Sequence, residues 1–239
     1  MEQSLSVLIP LAASIGFIHT LLGPDHYLPF IVMARARKWS WPRTGLITLL
    51  CGIGHVGSSI VIGAIGIALG YGVQHIQKIE SVRGDWAAWT LFLFGIGYFI
   101  WGMWKGIRNK PHRHFHVHED GSIHTHQHSH VQRAVHNHDH QPEENINLTP
   151  WILFIVFVLG PCEPLIPVLM YPAARHSLHG IVLVALVFSA VTIATMLTIV
   201  FLGRYGLNQL PVAKFDRWMH AAAGGAVALS GAAILFLGL

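Results

Sequence analysis

Long apolar stretches separated by short polar ones dominate this chain. Six stand out: about Leu5 to Met33, Thr44 to Tyr71, Trp86 to Trp104, Pro150 to Tyr171, Ser177 to Leu202 and Trp218 to Leu239. Each is long enough to cross roughly 30 Å of hydrocarbon. Backbone amides inside a bilayer must be satisfied within their own segment, so each stretch is expected to be a helix. Gly23-Pro24 breaks the first, and Gly160-Pro161, Pro164 and Pro167 interrupt the fourth.

The two breaks look related. Gly23-Pro24-Asp25-His26 runs on to Leu28, Pro29 and Met33, and Gly160-Pro161-Cys162-Glu163 runs on to Leu165, Pro167 and Met170. In the same alignment Gly54-His55-Val56-Gly57 falls opposite Ser189-Ala190-Val191-Thr192. Three spans is an odd number, so the second copy would be inverted relative to the first. The expected fold is therefore an all-α polytopic membrane protein. It has six transmembrane helices in two inverted three-helix repeats, with Gly-Pro breaks in helices 1 and 4. Residues 1–107 form the first repeat, 108–149 a His-rich loop and 150–239 the second repeat. Paired broken helices at matching positions of inverted repeats point to a substrate site in transporters.

Composition agrees with a membrane protein: 53% of the 239 residues are hydrophobic and only 11% are charged, against about 25% charged in soluble domains. Lys and Arg set an expected orientation. Arg35, Arg37, Lys38, Arg43, Lys105, Arg108, Lys110, Arg113, Arg133, Arg204, Lys214 and Arg217 fall on one side, and only Lys78, Arg83 and Arg175 on the other. The positive-inside rule then puts both termini outside and the loop after the third span in the cytoplasm, for a multi-pass protein of the cytoplasmic (inner) membrane. The formal charge of +4 belongs mostly to these anchors and does not suggest nucleic acid as a partner. The lipid bilayer is the expected partner, and a homo-oligomer is compatible. Residues 1–4 lack the basic start of a cleavable signal peptide. Cys51 and Cys162 both lie in apolar stretches, which argues against a structural disulfide framework.

The loop carries the most concentrated chemistry. His112, His114, His116, His118, His124, His126, His128, His130, His136, His138 and His140 recur almost entirely at alternate positions. Short His-rich tracts read first as metal collectors. Alternate residues of an extended chain share a face, and Asp120-Gly121 is a turn signal that could fold two such rows together.

Inside the spans, ionisable residues are costly and usually mark a substrate or ion path. His19, Asp25 and His26 cluster around the first break, with the histidines seven residues apart and so two turns apart on one helix face. His55 lies in the second span, and Ser58 and Ser59 follow about a turn later. Cys162 and Glu163 sit at the second break, as candidates for a further ligand or a proton carrier. His176 and His179 read as surface residues, and His75 and His220 as incidental.

These residues resemble the nickel/cobalt transporter family of the NicO type, which includes urease-accessory-like permeases and nickel/cobalt efflux proteins. The resemblance rests on the six spans, the His-rich loop between the third and fourth, the His…Asp-His motif of span one, the His of span two and the Pro-Cys of span four. It implies that His19, Asp25, His26 and His55 select the metal. The family's permeases place four residues between His and Asp-His, whereas five intervene here. The expected function is a secondary transporter, not an enzyme. It would move a divalent transition metal, nickel or cobalt or else zinc, in competition with protons, with export favoured. No tightly bound cofactor is expected. An alternative rests on Gly-Pro-Cys-Glu-Pro-Leu-Ile-Pro, which resembles the Pro-Cys segments of the cytochrome-c-biogenesis thiol–disulfide family. It makes the protein a membrane thiol–disulfide electron carrier using Cys162. A further alternative is a membrane-anchored metal sensor acting through its loop.

Overall fold

The computed structural model describes residues 2–108, 112–117, 123–128, 149–175, 177–209 and 217–238. Among the described residues, eight α-helices build the apolar part: α1 Glu2–Leu22, α2 Leu28–Ala36, α3 Trp41–Ala68, α4 Val73–Arg108, α5 Thr149–Leu159, α6 Leu165–Ala174, α7 Leu178–Gln209 and α8 Met219–Leu237. A 3-10 turn, Pro24–His26, joins α1 to α2. Among the described residues five helices (α1, α3, α4, α7 and α8) are long and apolar enough to cross a membrane, so the chain is an all-α multi-pass membrane protein.

Six spans were expected, and the difference lies at the breaks. The fourth expected span falls into α5 and α6, of 11 and 10 residues, each too short to cross alone. The first ends as a spanning helix at Leu22, because Gly23 and Pro24 stop it. Pro24 has no N–H to continue the ladder, and Gly23 adopts an extended conformation (φ −87°, ψ 96°). A second difference concerns α4. It starts at Val73 rather than near Trp86, so Lys78 and Arg83, read as loop cations, lie within a helix.

The helices associate through two apolar clusters. One gathers Phe30, Met33, Cys51, Leu153, Phe157, Met196, Val200 and Val227 from α2, α3, α5, α7 and α8. The other gathers Ala12, Val56, Cys162, Leu165, Leu169, Val184 and Phe188 from α1, α3, the α5–α6 break, α6 and α7. Lipid is as apolar as a helix face, so close backbone approach matters more than burial here. Gly95 and Gly102 of α4 meet the backbone of α8 at Ala228 and Ala221, which leaves no room for larger side chains. Apolar residues such as Trp86, Leu93, Trp104, Trp151 and Leu186 face outward, as a lipid-facing surface requires.

Part of the His-rich loop forms a two-stranded antiparallel hairpin, β1 His112–Val117 and β2 Ile123–His128. Its register sets His112 opposite His128, His114 opposite His126 and His116 opposite His124. Asp120, Gly121, His118, His130, His136, His138 and His140 lie outside the described residues, as does His176.

Candidate functional site

The two helix breaks and the middle of α3 converge on one polar centre. His19 comes from the last turn of α1 and His26 from the 3-10 turn. A continuous helix would separate residues seven apart by about 10 Å along its axis. The break instead folds the chain back, and the two rings meet edge to face with centroids 4.7 Å apart. His55 of α3 completes the group, its ring centroid 4.9 Å from that of His26 and 6.5 Å from that of His19. His26 Nε2 and His55 Nε2 are 3.3 Å apart.

Asp25 orients His26. Its Oδ1 lies 3.2 Å from His26 Nδ1, and the Gly23 carbonyl oxygen lies 3.2 Å from the same nitrogen. Both neighbours are acceptors, so Nδ1 is assigned as the protonated nitrogen and donates to them. That leaves Nε2 of a neutral His26 with its lone pair toward His55. Gly23 is needed for this arrangement, since a Cβ there would fall 2.5 Å from His26 Nδ1 and 2.8 Å from Asp25 Oδ1.

Cys162 enters from the α5–α6 break and is fully buried. One ligand atom from each of His19, His55 and Cys162 lies within 4.8 Å of the other two. The break is held by a polar group that sequence reasoning missed in part. The Cys162 backbone N–H donates to Ser59 Oγ at 3.0 Å, and Ser59 in turn donates to Glu80 Oε2 at 2.9 Å. Arg83 Nη2 donates to Glu80 Oε2 and Ser59 Oγ, each at 2.6 Å, and to the Gly160 carbonyl at 3.1 Å. Glu80 is completely buried, and Arg83 and Ser59 both pair with its Oε2, as a buried carboxyl group requires. The i,i+3 spacing of Glu80 and Arg83 was the available signal. It was hidden because residues 72–85 read as a polar loop.

A cavity of about 700 Å³ opens beside this centre, lined among others by His19, Asp25, His26, His55, Pro161 and Glu163. Glu163 is exposed and is not part of the His–Cys cluster. His220 is not incidental, since Tyr98 Oη lies 2.8 Å from its Nδ1 and Lys105 Nζ 3.2 Å from its Nε2. His75 packs on the Tyr71 ring at 4.5 Å, and His179 is exposed.

Fold and site thus define a multi-pass membrane protein with a buried thiol and three imidazoles gathered at two helix breaks. Residues 28–233 match the family described as cytochrome C biogenesis protein transmembrane region (DsbD_2), and the chain belongs to that family. No curated protein and no solved structure matches it. This membership overturns the expected kinship with nickel/cobalt transporters, and with it nickel or cobalt transport as the function. The match includes Cys51, His55 and Cys162 and begins just after His19, Asp25 and His26.

Proposed function

We propose that this protein is a membrane thiol–disulfide carrier of cytochrome c biogenesis, with Cys162 as its exchanging sulfur. The observation that carries this reading is the placement of Cys162 at the helix break, beside two imidazoles and a cavity, in a chain of this family. Cys51, the chain's other cysteine, sits in the middle of α3, where no break could release it. Exchange begins when an imidazole of His19 or His55 takes the thiol proton, since the thiolate is the nucleophile. Cys162 Sγ attacks one sulfur of a partner's disulfide, a mixed disulfide forms, and the partner's other sulfur leaves as a thiolate and takes up a proton. A thiolate of a second partner then attacks the partner-side sulfur, which forms a new disulfide and frees the Cys162 thiolate. Ser59 and Arg83 hold the break in place through the Cys162 amide and the Gly160 carbonyl.

Further features of the reading follow from the chain's symmetry and charge. Matching Gly-Pro breaks that meet at one centre support two inverted repeats. With Arg83 drawn into a buried pair, only Lys78 and Arg175 oppose the positive-inside bias. This supports a cytoplasmic hairpin and outward termini in the inner membrane.

The test is trapping of mixed disulfides. Cells expressing the native chain are quenched in acid, alkylated and resolved without reductant. Reductant-sensitive adducts are expected for the native chain and for Cys51→Ser, and none for Cys162→Ser. Adducts that persist in Cys162→Ser, or their absence from the native chain, would overturn the proposal.

A further inference from the structure

His19 Nε2 is buried and has no hydrogen-bond partner. Among the described residues it is one of seven such buried side-chain atoms, but its ring lies beside those of His26 and His55, so an ion shared by these donors would satisfy it. We propose that His19, His55 and Cys162, with His26 as the fourth donor, bind a divalent ion of the zinc class, held in place rather than carried across. This goes beyond the exchange reading and does not depend on it.

The donors suit such an ion in type, distance and charge. Two imidazoles and a thiolate from α1, α3 and the α5–α6 break already lie within 4.8 Å of one another. In a tetrahedral zinc site, with Zn–N about 2.0 Å and Zn–S about 2.3 Å, neighbouring donor atoms are about 3.3 to 3.6 Å apart. Binding would draw these donors about 1 Å closer together. The 3.3 Å between His26 Nε2 and His55 Nε2 already matches the bite of two nitrogens on one such ion. Asp25 and the Gly23 carbonyl behind His26 Nδ1 fix the tautomer that leaves Nε2 free to ligate, the arrangement that orients metal-bound histidines generally.

Charge selects the valence. One thiolate and a divalent ion leave a single positive charge, which the Asp25 carboxylate at the back of His26 cancels. A monovalent copper ion would leave the group with a net negative charge in a buried setting, which is costly. Glu80 and Arg83 neutralise one another and do not change this count. A thiolate bound to the ion cannot attack a disulfide, so binding and exchange would be alternative states of one sulfur.

The histidine-rich loop complicates metal counting, but it contains no cysteine. The experiment therefore reads thiolate ligation. The full-length protein, purified in detergent, is titrated with Co²⁺ as the spectroscopic probe for zinc, and near-ultraviolet thiolate-to-cobalt charge transfer is recorded. The band is expected in the native chain and in Cys51→Ser. It should be lost in Cys162→Ser, be reduced at least several-fold in His19→Gln and in His55→Gln, and be displaced by added Zn²⁺. No band in monodisperse native protein, or a band that survives Cys162→Ser, would overturn the site. Mixed-disulfide trapping is read in cells without added metal and the cobalt band on purified protein, so failure of one proposal is distinguishable from failure of the other.

Discussion

His26 occupies the space that a side chain at position 23 would need. A methyl group there meets the imidazole at 2.5 Å and the Asp25 carboxylate at 2.8 Å, so Gly23→Ala must push one of them away. At Gly57, within α3, an added Cβ meets nothing within 4 Å, and alanine favours a helix over glycine. Gly23→Ala is expected to destabilise by about 1–3 kcal/mol, while Gly57→Ala is neutral or stabilising by about 0.5–1 kcal/mol. Thermal denaturation in detergent checks both, and equal tolerance at the two positions would refute the packing described for the break. Glu80 gives a second residue-scale expectation. Truncating one partner of a buried ion pair leaves an uncompensated charge and costs about 3–5 kcal/mol. Glu80→Ala alone should therefore lose more stability than Glu80→Ala combined with Arg83→Met, and the reverse order in chemical denaturation would dismiss the pair as a structural element. His19, Asp25, His26, His55 and Cys162 were legible in the sequence because polar groups stand out in apolar spans. Glu80 and Arg83 were not, because their neighbours Gln77, Lys78, Ser81 and Asp85 gave the whole stretch the look of a loop.

Helix ends explain how much of each element could be read. Gly-Pro at 23–24 and 160–161 announces a stop by removing a donor and freeing the backbone, and the chain breaks at both places. The start of α4 carries no such punctuation, and its polar first turns are stabilised by a contact with Ser59 that only the folded chain reveals. The end of α2 is a case where residue and conformation disagree. Trp39 N–H donates to the Ala34 carbonyl at 2.9 Å and Lys38 N–H to the Arg35 carbonyl at 3.2 Å, which is a Schellman ending with Lys38 at the left-handed position (φ 51°). The end of α3 closes the same way. Tyr71 N–H bonds the Gly66 carbonyl and Gly70 N–H the Ile67 carbonyl, but glycine stands at the left-handed position (φ 70°). A side chain in that region is strained where glycine is not. Lys38→Gly is therefore expected to raise stability by about 0.5–1 kcal/mol, read as a higher melting temperature. A lower one would mean that the lysine side chain contributes more than its backbone costs.

At the scale of the whole molecule, the class of fold was legible and the function was not, for one physical reason. Membrane insertion depends on the average apolarity of long segments, which any reading of the chain detects. Histidine, carboxylate and thiol, by contrast, serve metal binding and sulfur exchange alike. The His-rich loop tilted the reading toward metal cargo, whereas family membership rests on a pattern spread over residues 28–233. The hairpin decides how far that loop belongs to the functional unit. Its strands pair with each other, from His112 opposite His128 to Val117 opposite Ile123. Among the described residues, the polar centre draws its side chains from residues 19–26, 55–83 and 160–163. Deleting residues 112–140 shortens a connection between α4 and α5, and the closure cost varies only slowly with loop length. The deleted protein is expected to keep the native melting temperature in detergent and the native yield of trapped mixed disulfides at Cys162, while losing most of its capacity to retain divalent metal on desalting. If the deletion abolishes the adducts while the melting temperature is unchanged, the loop is part of the working site, and the division between helical carrier and hairpin fails.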